Sequence, residues 1–245
     1  MDDDSADNGC PSEDKVWGLK FSEIYTEEDE FKVYGCFASI HDLKATALAI
    51  SATITDTSWM YRLDHSVRMQ FKNTAERTIS SLLQLVEGVD KDERLSGEFG
   101  ELVVSFGSSR VLSFLFGHTT IPISEIWKSR SRQNDSFDFH TVCDADKINF
   151  GEAKFESRAN PYRVAAQQAS RFLKEDKHRH DRVYLRDLIS AQAIANLDSD
   201  DFGVVVAFSI RRGNPERVLA NAMTRSIEAF RSQSVSMVYV LGVRH

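Results

Sequence analysis

The run INFGEAKFE, residues 148–156, sets a glutamate and a lysine two positions apart inside an apolar stretch. Side chains of an extended strand alternate between faces, so Ile148, Phe150, Glu152 and Lys154 share one. Two of the four are bulky and apolar, which predicts that this face is covered. A carboxylate and an ammonium held there must pair, bind a metal or do chemistry. More acids fall nearby in the chain. Asp138 lies between Phe137 and Phe139 in SFDFHTVC, and Glu98 and Glu101 stand three apart in GEFGELVV, on one face of a helix. Asp144-Ala145-Asp146 is a polar link of the kind that closes a hairpin. With that turn centred on Ala145, Asp138 comes seven residues before it and Glu152 seven after. The two acids then face each other with Cα atoms ~4.5–5.5 Å apart. Carboxylates that close repel unless a cation lies between them, and an oxygen-lined site suits Mg²⁺. The neighbouring lysine would orient a metal-activated hydroxide or stabilise charge on a phosphoryl oxygen. The competing reading is a surface ion pair on an exposed hairpin.

The elements that must position these groups read as a mixed sheet with helices packed on it. Ser96 is a candidate N-cap for a helix through GEFGELVVSFGSSRVLSFLF, and three strand-like stretches follow: HTTIPISEIW, SFDFHTVC and KINFGEAKFE. After Asn160-Pro161 a helix carries Val164, Ala165, Gln168, Ala169, Phe172 and Leu173 in register. A second helix is expected from Tyr184 to Asn196, then strand FGVVVAFSI, helix PERVLANAMTRSIEAFR and strand VSMVYVLGV. Upstream, VWGLKFSEIY and FKVYGCFASI read as strands. ATALAISATI fits either a helix or a buried strand, and a helix is expected over 73–88. Residues 1–14 lack apolar anchors and are expected to be a disordered acidic tail. The division is therefore 1–14 tail, 15–92 N-terminal α/β appendage and 93–245 main domain.

The chain carries a net charge of −7, but its first 30 residues hold eleven acids against two lysines, −9 in all, which leaves +2 for the rest. Two basic clusters stand out: Lys128, Arg130 and Arg132, then Lys174, Lys177, Arg179, Arg182 and Arg186. They are read either as solvated faces or as a surface that tracks phosphates. No apolar run approaches the ~18–20 residues of a membrane span, and Cys10, Cys36 and Cys143 have no metal-ligand spacing. Together with the lack of a cleavable leader this predicts a cytoplasmic protein. Neither GxxxxGK[ST] nor GxSxG occurs, which leaves nucleotide-motor and serine-hydrolase readings unsupported.

The ordered set GEFGELVV, FDFHTV and INFGEAKF resembles the PD-(D/E)xK nuclease superfamily, and within it the HamA family of nuclease subunits from the Hachiman anti-phage defence system. The resemblance covers residues 96–176. It implies a restriction-endonuclease-like core of helix–strand–strand–strand–helix, and a Mg²⁺-dependent endodeoxyribonuclease, with Mn²⁺ substituting. It also implies DNA as substrate and control by a superfamily 2 helicase of the HamB kind in a bacterial cytoplasm. Asp138, Glu152 and Glu101 are then metal ligands, with Lys154 completing the catalytic set and Glu98 the alternative helix acid. Phe137 replaces the usual proline before the aspartate. His140 and Gln168, with Gln167 beside it, are supporting candidates, and Lys128, Arg130, Arg132, Lys174, Lys177 and Arg179 are candidate DNA contacts. His178 and His180 are expected in a solvent-facing basic loop. The alternative reading is a non-cleaving DNA sensor or regulator on the same fold. The acidic N-terminus is a candidate phosphate mimic that would restrain the isolated chain.

Overall fold

The computed structural model describes residues 13–87, 97–127, 136–156 and 158–245. Its centre is built by three strand runs with little polar interruption. The strands β7 (Ile148–Lys154), β8 (Gly203–Ile210) and β9 (Met237–Arg244) lie parallel, β7 beside β8 and β8 beside β9. All eight residues of β8 are buried, as a strand covered on both faces requires. The parallel set is completed by β4 (Lys32–Ile40), which pairs with β9 over eight positions. On the outer edge of β4 lie two antiparallel strands, β2 (Leu19–Phe21) and β3 (Tyr25–Glu28), and β1 (Glu13–Asp14) joins β2. The other edge is the antiparallel pair β5 (Thr119–Thr120) and β6 (Phe139–Val142), giving the order β1-β2-β4-β9-β8-β7-β6-β5.

Helices cover both faces. The long α3 (Gly97–Phe116) crosses β6 to β9 on one face; α1 (Leu43–Thr55) and α2 (His65–Glu87) precede it in the chain and pack beside it. α1 is capped by the Asp42 side chain, which accepts from the Ala45 N–H at 2.9 Å. The opposite face carries α5 (Tyr162–Lys174) and α8 (Pro215–Phe230), after the four-residue α4 (Ser124–Trp127). Glycines show the two faces directly. A Cβ on Gly35 would meet Met223 of α8, whereas a Cβ on Gly107 of α3 would touch Val243, which is of opposite parity to the Gly35 partner Val240. Between α5 and β8 lie α6 (Lys177–Leu185) and α7 (Ala191–Asp198).

Several expectations are corrected. Residues 13 and 14 belong to the fold, where Asp14 is buried and pairs with Arg110 at 2.6 Å, and residues 1–12 of the expected tail lie outside the described residues. The described part of 15–92, residues 15–87, is not a separate appendage, because β4 is inserted in the main sheet and one apolar core runs through both parts. ATALAISATI is helical, and the 73–88 helix begins eight residues earlier, at His65. HTTIPISEIW yields two strand residues and then the turn α4, since Pro122 cannot donate to a ladder. The single helix expected at 184–196 is two, broken around Ser190, whose hydroxyl caps α7. Val164 faces solvent, and Ala166 takes its place against the sheet. Contrary to the reading of apolar runs, Gly97–Phe116 is long and apolar enough to cross a membrane by length and composition; most of it is spent inside this core.

Candidate active site

The hairpin forms as its symmetry predicts. Val142 pairs with Ile148 and Phe139 with Gly151, a register centred on Ala145. Asp146 takes a left-handed conformation (φ 54°), which aspartate tolerates, and Asn196 of α7 donates to its carbonyl at 2.9 Å. β6 ends at Phe139, so Asp138 lies one position beyond the ladder, opposite Glu152 on the extended register. There β7 runs on with an open edge, and two site side chains close it. Asp138 Oδ2 accepts from the Ala153 N–H at 2.8 Å, and Lys154 Nζ donates to the Ala153 carbonyl at 3.1 Å. The backbone groups that a longer β6 would have satisfied thus fix the acid and the amine.

Glu152 is buried, in a row with Val206, Val240 and Gly35 that faces α5 and α8. Lys154 Nζ lies 2.7 Å from its Oε1, yet neither carboxylate oxygen accepts a well-aligned hydrogen bond. Burial, and then the neighbouring Asp138 charge, push the Glu152 carboxyl well above the usual range, against the pull of Lys154. For Lys154 burial works the other way, but Glu152, Asp138 and Glu101 together outweigh it and hold the ammonium charged. Glu101 approaches from α3, its side chain 51 % exposed and 3.9 Å from Nζ. With Glu98, Leu102, Ser105, Leu85, Ile123 and Asp138 it lines an open cleft of about 260 Å³. The structure therefore brings Asp138, Glu152, Lys154 and Glu101 together, with Glu98 on the same cleft wall.

His140 is a brace. Its Nε2 lies 3.0 Å from Asp181 Oδ2 and its Nδ1 3.3 Å from Ser124 Oγ, all three side chains being buried. Serine, histidine and aspartate in sequence mimic a hydrolytic triad, but the Ser124 hydroxyl donates to the Phe137 carbonyl at 2.6 Å. With no open face and its proton committed there, Ser124 serves instead to anchor the loop before β6: its N–H donates to the Asp138 carbonyl at 3.1 Å. Asp181 also accepts from Ser136 Oγ at 2.5 Å. The set clamps the backbone that carries Asp138 between α4 and α6.

Ser124 escaped the sequence reading, as did the bracing role of Asp181. His178-Arg179-His180-Asp181 is helical, not a loop, and positions 178 and 181 share its inner face while His180 is exposed. His178 stacks on Phe202 with centroids 4.9 Å apart, and burial lowers its pKa. The three-residue spacing of two polar groups beside the apolar Leu185 was the available signal. Gln168 is half-buried on α5 and is not part of the cleft wall, and Gln167 lines a separate groove with Arg163 and Arg225. Lys128, Arg130 and Arg132 lie outside the described residues. Lys174 is exposed and Lys177 half-buried, while Arg179 pairs with Asp200 at 2.5 Å. Arg182 is likewise held by both oxygens of Asp198, so acids match much of this cluster.

Among the described residues no three acidic, histidine or cysteine side chains converge as a ready-made metal cage. The reason is geometric: Glu101 approaches from the α3 face, while Glu152 faces α5. The donor chemistry nevertheless fits Mg²⁺, which needs only one or two carboxylates and takes waters for the rest. Three carboxylates here couple to one ammonium, and the oxygens of Glu152 retain acceptor capacity. No family model matches the chain, nor does any curated protein or solved structure.

Proposed function

We propose that the chain is a metal-dependent endodeoxyribonuclease of the PD-(D/E)xK kind, a HamA-like effector of a bacterial anti-phage complex controlled by a superfamily 2 helicase. The observation that carries this reading is the fork between β6 and β7, where Asp138 meets Glu152 and Lys154 bridges Glu152 to Glu101. The order helix, three antiparallel strands, helix and a parallel fourth strand (α3, β5, β6, β7, α5, β8) supports a restriction-endonuclease-like core.

Asp138 and Glu152 would hold Mg²⁺, with Glu101 facing the same ammonium from α3. The bound ion supplies a water of lowered pKa and a Lewis acid for the phosphoryl oxygen. Lys154 stays protonated and directs its charge at oxygens gathering negative charge as the phosphodiester is attacked. Asp138 is kept from rotating by the Ala153 N–H, and the His140–Asp181–Ser124 clamp fixes its backbone. Burial of Glu152 removes competing water from one side of the pair.

The test is nicking of supercoiled plasmid in Mg²⁺ and in EDTA, with and without the helicase. Wild type should cut only with metal, and Glu152→Ala and Lys154→Ala should each lower the rate at least ~10²-fold. Unchanged rates in both variants would remove the site. A second reading, a DNA sensor that does not cut, is favoured by the α6 arginines Arg179 and Arg182, whose charges are matched by Asp200 and Asp198 rather than left for phosphate. Protection of DNA by folded wild type without cleavage, in Mn²⁺ and with the helicase present, would select it.

A further inference from the structure

A second cavity, of about 320 Å³, opens beside the carboxylate cleft, and Ile123 lines both. α3 joins them: Glu101 and Ser105 line the cleft, and Ser109, Arg110 and Ser113 line the cavity. Two of the chain's three tryptophans, Trp17 and Trp59, also line it.

These walls are tied together by polar and aromatic contacts. Buried Asp14 accepts from the Trp17 N–H at 3.2 Å and pairs with Arg110 at 2.6 Å, while the Thr46 hydroxyl donates to the Trp17 carbonyl at 2.6 Å. The Arg110 guanidinium lies 5.9 Å from the Trp17 ring centroid, and Trp59 packs on Phe71 at 5.8 Å. Because Asp14 satisfies the Arg110 charge, the cavity does not call for an anion. Its lining includes two indoles, the Arg110 guanidinium that lies over the Trp17 and Phe114 rings, several hydroxyls and the Asp56 carboxylate, which suits an uncharged planar heterocycle with hydrogen-bond donors on its edge. The volume is at the small end for ligand pockets, room for one ring system.

We infer that this cavity is a base-binding subsite, taking one unstacked nucleobase of a single strand whose backbone reaches the neighbouring carboxylate cleft. Stacking on aromatic side chains holds such bases with little regard to sequence. From Glu101 to Arg110 is about 13 Å along a helix axis, roughly four stacked nucleotide steps. The inference rests on the nuclease reading for its substrate, but its test does not need cleavage.

The test uses the full chain in EDTA with a ten-nucleotide single-stranded DNA, following tryptophan emission and, with a labelled copy, fluorescence anisotropy. Wild type should show saturable quenching that tracks binding. Trp59→Leu and Ser113→Phe, the latter filling the cavity with both indoles kept, should each weaken binding about tenfold and remove most of the quenching. If Trp59→Leu melts early, Ser113→Phe alone decides. Binding with unchanged emission, or Ser113→Phe indistinguishable from wild type, overturns the subsite and leaves the nuclease reading standing. Quenching with no cleavage under any metal overturns the nuclease reading and keeps the subsite. No binding of the strand at all overturns the subsite.

Discussion

Lys154 Nζ lies 2.7 Å from Oε1 of Glu152, a carboxylate that the fold buries completely. One ammonium thereby interacts with Glu152, Asp138 and Glu101, and burial raises the cost of the Glu152 charge. A divalent cation bound at this fork would favour the ionised form of Glu152 that burial opposes.

Magnesium should therefore stabilise the fold. At pH 8 and about 100 times its Kd, Mg²⁺ adds about 2.7 kcal/mol, seen as a raised melting temperature. Glu152→Gln and Asp138→Asn should each lose most of that shift. An equal shift in both variants would place the ion elsewhere.

Without metal, the raised Glu152 pKa links stability to pH. A carboxyl whose folded pKa lies above its ordinary 4.5 contributes fully below that value and loses its contribution as pH rises through the folded one. Glu152→Gln has no proton to lose there. Its melting temperature minus that of wild type, in EDTA, should grow from pH 5 toward pH 9. A flat difference would show that the carboxyl titrates normally.

His118 should give the opposite slope. Buried between Thr141 at 3.0 Å and Tyr239 at 3.1 Å, it has a pKa pushed by burial from 6.5 down to about 4. Its contribution is present above pH 6.5 and is lost as pH falls through 4, about 3 kcal/mol in full. His118→Gln should flatten urea-unfolding stability between pH 6.5 and 4.

The clamp behind Asp138 should be costly to break. Asp181→Ala leaves the buried His140 and the Ser136 hydroxyl without their acceptor, a loss of about 2–3 kcal/mol by urea titration. The Mg²⁺-induced melting shift should shrink too, because the backbone of Asp138 loses its support. An unchanged shift would confine Asp181 to a packing role.

The acidic N-terminus is tested by two truncations. Removing 1–12 should leave the melting temperature unchanged and, if those acids occupy the DNA groove, raise cleavage at low salt. Removing 1–14 strips Asp14 from Arg110 and should lower stability by about 2 kcal/mol. The two truncations separate charge mimicry from folding.

Local sequence determined the hairpin and the parity of its residues. Period-two patterning and a polar turn at Ala145 sufficed to set Asp138 opposite Glu152 and Lys154 beside it. The buried strands were legible too, since a strand covered on both faces must be apolar throughout. The first eight residues of α2 and the inner face of α6 were not, because short polar stretches carry little periodicity. Tertiary structure alone decided which face each acid approaches from, that Asp198 and Asp200 neutralise Arg182 and Arg179, and that β4 enters the main sheet beside β9. Each of these joins residues distant in the chain or depends on how its elements pack. Periodicity fixes which way a side chain points on its own element, whereas packing over long separations fixes what it meets.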